Sequence, residues 1–145
     1  MITDYYNYID IKDKIEFLFA SKGKQGTIIK IVSFTLLEDN LWNLAFGDVN
    51  KGNFDGSIIS NNHDLLKIIG TVAKITYEFS ATFPLRNIHI KPVDEKRKKL
   101  YNHVFRRHYA VINATFQIIG LKNGIEEPYS MGKVYDVFKL KRRII

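Results

Sequence analysis

Thr27-Ile28-Ile29-Lys30-Ile31-Val32-Ser33-Phe34-Thr35-Leu36-Leu37 is followed, after Glu38-Asp39-Asn40, by Leu41-Trp42-Asn43-Leu44-Ala45-Phe46. The first run is rich in β-branched residues, which suit a pleated surface. Either Ile29, Ile31 and Leu37 or Ile28, Val32 and Phe34 can line one of its faces. The polar triplet Glu38-Asp39-Asn40 reverses the chain, so the two runs are predicted as neighbouring antiparallel strands. Upstream, Ile15-Glu16-Phe17-Leu18-Phe19 begins another strand, and Ser21-Lys22-Gly23-Lys24-Gln25-Gly26 supplies the residues of a hairpin turn. Downstream, Gly47 to Asn53 has loop composition and Ser57-Ile58-Ile59-Ser60 reads as a fourth strand. The first 60 residues are therefore an antiparallel meander, preceded by a polar and aromatic stretch, Asp4 to Asp13, with no clear period.

The period then changes. Leu65, Ile68, Ile69, Val72, Ala73 and Thr76 recur at helical spacing, with Asn61 or Asn62 as N-cap and Pro84 as a stop. Gly70 within this helix costs about 1 kcal/mol against Ala. Asn87-Ile88-His89-Ile90 is a short strand. A second helix starts near Asp94 and carries Leu100, Tyr101, Val104, Phe105 and His108 as its apolar stripe, its other face being basic. From Asn113 the chain is β-like again: Thr115 to Ile119, a turn at Lys122-Asn123-Gly124, a segment near Ile125, and a last strand from Lys133 to Leu140. Asn-Gly marks a hairpin because both residues tolerate positive φ. The sum is an α+β fold: a meander, then helix, strand, helix and a C-terminal β-hairpin, with two helices packed on one sheet.

A chain of 145 residues has the size of one domain, and no Pro/Gly/Ser-rich linker or repeat divides it. A single domain over residues 1–145 is expected. An apolar share of 46% is too rich for a disordered chain, which cannot offset its conformational entropy by burial. Cysteine is absent, which excludes disulfides, thiolate metal sites, iron–sulfur clusters and cysteine nucleophiles. The first residues lack a basic, apolar leader, and no run approaches the roughly 18 apolar residues of a membrane helix. A cytoplasmic protein without membrane association or cofactor is expected.

The charge is uneven. Up to Ile90 there are 9 Lys/Arg against 10 Asp/Glu; from Lys91 onward there are 13 against 5, so the net +7 resides in the C-terminal part. Such a distribution suits an anionic partner: a nucleic acid, an acidic protein or anionic lipid.

Phe17 and Phe19 leading into Ser21-Lys22-Gly23 and Gly26, then Asn43-Leu44-Ala45-Phe46-Gly47-Asp48 and Ser60-Asn61-Asn62, form a recognisable series. It continues through Thr71-Val72-Ala73, Phe79 and Pro84 to Arg97-Lys98-Lys99-Leu100-Tyr101. Over most of its length the chain thus resembles a family of small uncharacterised bacterial proteins. The resemblance implies one domain and supplies no catalytic residues. Lys91-Pro92-Val93 stands where that family usually carries Gly-Ser-Thr, so an anion-binding turn there would lack one backbone N–H and one hydroxyl.

The main candidate site is the basic helix. Lys96, Arg97, Lys98, Lys99, Tyr101, His103, Arg106 and Arg107 are predicted to contact nucleic acid, with Lys141, Arg142 and Arg143 extending the surface. Phosphate neutralisation by such a face gives salt-dependent, weakly sequence-specific binding, and Tyr101 could stack on a single strand. The plainer alternative is a solvated helix face with Asp94 and Glu95 as counter-charges. Two other functions stay open. One is a protein-interaction component of a bacterial toxin–antitoxin or defence pair, meeting an acidic partner. The other is a metal-independent ribonuclease using His89, His103 and His108. Edge strands rich in Ile and Phe also suggest a homodimer.

Other patterns have simpler readings. Gly23-Lys24-Gln25-Gly26-Thr27 lacks the order of a phosphate loop and sits between strands. Asp48, Asn50, Asn53 and Asp55 miss the calcium-ligand ladder. Asn61-Asn62-His63-Asp64 is explained by capping. Trp42 is expected in the core, while Tyr5, Tyr6 and Tyr8 could be core or an interface patch.

Overall fold

The computed structural model describes residues 4–50, 53–55 and 64–144. The sequence-predicted strand Ser57–Ser60 and the caps Asn61 and Asn62 lie outside the described residues. The fold is α+β, as expected, and the chain divides into two compact units, Met1–Thr35 with Ala45–Phe83 and Leu36–Leu44 with Pro84–Ile145. No helix among the described residues is long and apolar enough to cross a membrane.

The first unit holds β1 (Tyr8–Lys12), β2 (Glu16–Gly23), most of β3 (Gly26–Glu38), the end of β4 (Leu41–Asn50), β5 (Asn53–Asp55) and α1 (Leu65–Thr82). β1 was not legible in the stretch Asp4 to Asp13, because within this short strand only Tyr8 is not exposed, which leaves no alternation to read. β2 and β3 pair antiparallel from Glu16↔Ser33 to Gly23↔Gly26, with Gly26 at φ +85, a backbone state that glycine alone adopts freely. Their register puts Phe17 beside Val32 and Phe19 beside Lys30 on one face. Phe17, Phe19, Val32 and Phe34 are buried, and Phe34 stacks on Phe79 of α1 with centroids 3.9 Å apart. Each such side chain contributes about 1.5–3 kcal/mol through burial. Lys30, also fully buried on this face, is ion-paired with Asp48, itself 4% exposed.

Asp64 occupies the N-cap position of α1. Its side chain does not cap. One oxygen, Oδ2, instead accepts from the Tyr6 hydroxyl and from Ser21 Oγ, while the Tyr6 N–H donates to Thr71 Oγ1 at 2.8 Å. The Tyr8 hydroxyl donates to Glu78 at 2.9 Å, and its burial beside that carboxylate pushes its pKa up to about 12. The tyrosines are thus fasteners that hold the N-terminal segment to α1.

The second unit holds the start of β4, β6 (Asn87–Ile90), α2 (Glu95–Arg107), α3 (Tyr109–Thr115), β7 (Phe116–Lys122), β8 (Ile125–Pro128) and β9 (Val137–Arg142). Its strand order is β4-β6-β9-β7-β8. β6 runs parallel to β4, pairing Trp42 with Ile88, a pairing that no pattern in the sequence signalled. α1 lies between the two in sequence and provides the long connection that parallel pairing requires. The Asn-Gly hairpin is present, with Asn123 at φ 53 and Gly124 at φ 77. β9, however, pairs on its two sides with β7 and β6.

Three boundaries differ from expectation. β4 runs on to Asn50 and pairs antiparallel with β5, where Gly47 to Asn53 had the composition of a loop. A third helix, α3, follows α2 after a break at His108 (φ −106, ψ 22); the β-branched Val111 and Ile112 had disguised it. The last strand starts at Val137, and Ser130–Asp136 is a loop whose fully buried Tyr135 mimics a strand residue. Trp42 is half-buried, with the Arg86 guanidinium 4.1 Å over its ring.

Candidate nucleic-acid interface

α2 begins where Asp94 accepts the Arg97 N–H at 2.8 Å, the capping bond the sequence implies. Its apolar side is fastened to the sheet by Phe105, which stacks on Phe138 with centroids 4.1 Å apart. Side chains alternate along a strand, so Phe138, Leu140 and Arg142 share the helix-covered face and Lys139 and Lys141 point to the other. Of the tail cations, Arg142 is thus on the side of α2 and Lys141 is on the other. Lys141 is exposed on the far face, and Arg143 is bound to α3, donating to the Asn113 carbonyl and to its Oδ1 at 2.7 Å.

The helix itself sorts its cations. Lys96, Lys99, His103, Arg106 and Arg107 are exposed and, among the described residues, make no ion pair with a carboxylate. Arg97 is turned inward at 9% exposure and paired with Asp94, so it leaves the predicted contact set. Lys98 donates to Asp136 Oδ1 at 2.7 Å, an ion pair that holds the Asp136 carboxyl below its usual range. Tyr101 is half-buried and burial pushes its hydroxyl up to about 12, so its ring is not a free stacking platform.

Beside this face lies a groove of about 330 Å³, lined on the α2 side by Glu95, Lys98, Lys99, Asn102, His103 and Arg106 and opposite by Gly132, Lys133 and Val134. The opposing loop is rigidly held. Asn102 accepts the Tyr135 N–H and donates to the Tyr135 carbonyl, and the Tyr135 hydroxyl accepts the Ser130 N–H at 3.0 Å. Tyr135 lies flat on Gly120, where an added Cβ would come within 2.3 Å of the ring. Lys133 pairs with Glu127 at 2.9 Å. Lys133 and Asn102 escaped the sequence reading. The signal that could have found Lys133 is Ser130-Met131-Gly132, whose glycine, at φ +94, breaks the strand predicted just after it.

The three histidines are not brought together. His103 lines the groove and His108 is exposed at the end of α2. His89, on the face opposite α2, donates from Nδ1 to Asn43 Oδ1 at 3.0 Å. Burial and then the nearby Lys139 and Lys91 hold it below its ordinary pKa. No cluster of three or more His, Asp or Glu able to hold a metal ion occurs among the described residues.

No curated protein and no solved structure matches this chain. A family model does, across residues 3–143, nearly the whole length and including both units and the basic helix. The chain belongs to DUF6934, a family of unknown function.

Proposed function

We propose that this chain is a bacterial, cytoplasmic nucleic-acid-binding protein that holds phosphates along the exposed cationic face of α2. The observation that carries this reading is the row Lys96, Lys99, His103, Arg106 and Arg107, exposed on one rigid helix and left without carboxylate partners among the described residues. Like charges so close repel one another, and a polyanion relieves that repulsion. Carboxylates quench Lys98 and Arg97 but not this row, which argues against a merely solvated face.

Phosphates neutralised by such a row release counterions, so log K falls with log salt by about 0.7 per contact on a single strand and about 0.9 on duplex DNA. The test is fluorescence anisotropy of nuclease-treated protein with labelled single-stranded RNA, single-stranded DNA and duplex DNA at two salt concentrations. Salt-sensitive binding that disappears in Lys96→Glu/Lys99→Glu/Arg106→Glu supports the reading. Absence of binding at low salt removes it and leaves an acidic protein, such as the cognate member of a toxin–antitoxin or defence pair, as the partner to seek.

A further inference from the structure

The exposed cations of α2 fall into two sets. Lys99, His103 and Arg106 line the groove, whereas Lys96 and Arg107 lie on the same helix outside it. Lys99 and Arg106 are seven residues apart, two turns along one stripe, and Lys133 faces them from the loop. We propose that this groove seats one backbone phosphate of a single nucleic-acid strand, held by Lys99 and Arg106 from α2 and by Lys133 from the loop. The inference rests on the nucleic-acid reading of α2 and adds to it the strand type and the residue Lys133.

Three features support the seat. Its volume, about 330 Å³, is at the lower end of ligand clefts, enough for one nucleotide unit but not for a duplex, which would reach only the rim. The wall is preorganised: Asn102 and Ser130 fix the loop through Tyr135, so little ordering entropy is lost on binding. The ligand chemistry is set by what lines the groove. Four cations, an imidazole and an amide stand against one carboxylate, Glu95, and no aromatic side chain is present, so the phosphate is gripped while the base is not stacked. Binding is then indifferent to base sequence. Glu127 holds Lys133 in the free protein and competes with the phosphate for it.

The experiment measures anisotropy with the full chain, a fluorescein-labelled oligo-dT strand and a duplex of equal length, over a range of salt. Lys133→Ala, Lys99→Ala and Arg106→Ala are each expected to weaken single-strand binding about fivefold or more and to lower the salt slope by no more than about 0.7, the share of the one phosphate they hold together. Lys96→Ala and Arg107→Ala are expected to weaken binding less than the three seat variants do, and Lys24→Ala, exposed in the β2–β3 turn, is expected to change affinity less than about twofold. Lys133→Arg should restore binding, and Glu127→Gln, which frees Lys133, should tighten it; neither result follows if Lys133 merely braces the loop. Thermal melts show that each variant is folded. Lys133→Ala binding like the wild type, Glu127→Gln failing to tighten, or a preference for the duplex overturns the seat while leaving α2 as a nucleic-acid face. A wild-type chain that binds neither probe at low salt overturns both.

Discussion

Asn102 clasps the backbone of Tyr135 from both sides, its Oδ1 accepting the Tyr135 N–H at 2.8 Å and its Nδ2 donating to the Tyr135 carbonyl at 2.9 Å. The amide imitates a strand neighbour, supplying a donor and an acceptor to the loop backbone. Tyr135 is fully buried, so its backbone groups have no water to turn to if the amide is removed. Asn102→Ala is expected to cost about 2–4 kcal/mol, since each bond lost leaves a buried group unsatisfied. Urea unfolding monitored by circular dichroism measures it; a change below about 0.5 kcal/mol would mean the clasp is incidental.

Gly120→Ala addresses the other side of the same tyrosine. A Cβ there meets the Tyr135 ring at 2.3–2.6 Å, and the ring, being wholly enclosed, has little room to withdraw. A destabilisation of about 1–3 kcal/mol or more is expected from overpacking. The double variant Gly120→Ala/Tyr135→Leu should cost less than the sum of its parts, which a double-mutant cycle reads directly.

Lys30 and Asp48 make a deeply buried ion pair in the first unit, with side chains 1% and 6% exposed. Breaking it leaves one charge in the core. Lys30→Met alone is expected to destabilise by about 3–5 kcal/mol, whereas Lys30→Met/Asp48→Leu should recover most of that loss. Equal unfolding midpoints for the wild type and Lys30→Met would contradict the burial of an effective pair.

The Lys98–Asp136 contact gives a pH dependence. Asp136 titrates below its ordinary value because Lys98 and the Asn123 N–H bind its carboxylate. A depressed carboxyl contributes stability that is present above its unfolded pKa, about 4, and is lost as pH falls through the folded value. Asp136→Asn should therefore lower the melting temperature at pH 7 and flatten the decline of melting temperature with acid below about pH 4. Parallel acid limbs for the two proteins would show that the pair does not matter.

Legibility in the sequence followed the locality of the signal. The β2–β3 hairpin, the Asp94 cap and the Asn123-Gly124 turn each rest on residues a few positions apart, and all three appeared where the pattern placed them. The parallel β4–β6 pairing and the insertion of β9 between β6 and β7 depend on residues far apart in the chain, which periodicity cannot report. In the candidate site, the cationic character of α2 was plain from composition. Which cations stay available was not, because Arg97 is quenched by a neighbour one turn away and Lys98 by Asp136, 38 positions on. Lys133 joined the site only once the loop was seen to face the helix.

The most direct measurement is the slope of log K against log salt for a labelled single strand, for the wild type and for Lys96→Glu/Lys99→Glu/Arg106→Glu, with folding of both verified by circular dichroism. The expected result is a wild-type slope of about −0.7 or steeper, equivalent to at least one phosphate contact, and no measurable binding by the variant. A slope near zero, or a variant that binds as the wild type does, would contradict a phosphate-binding role for α2.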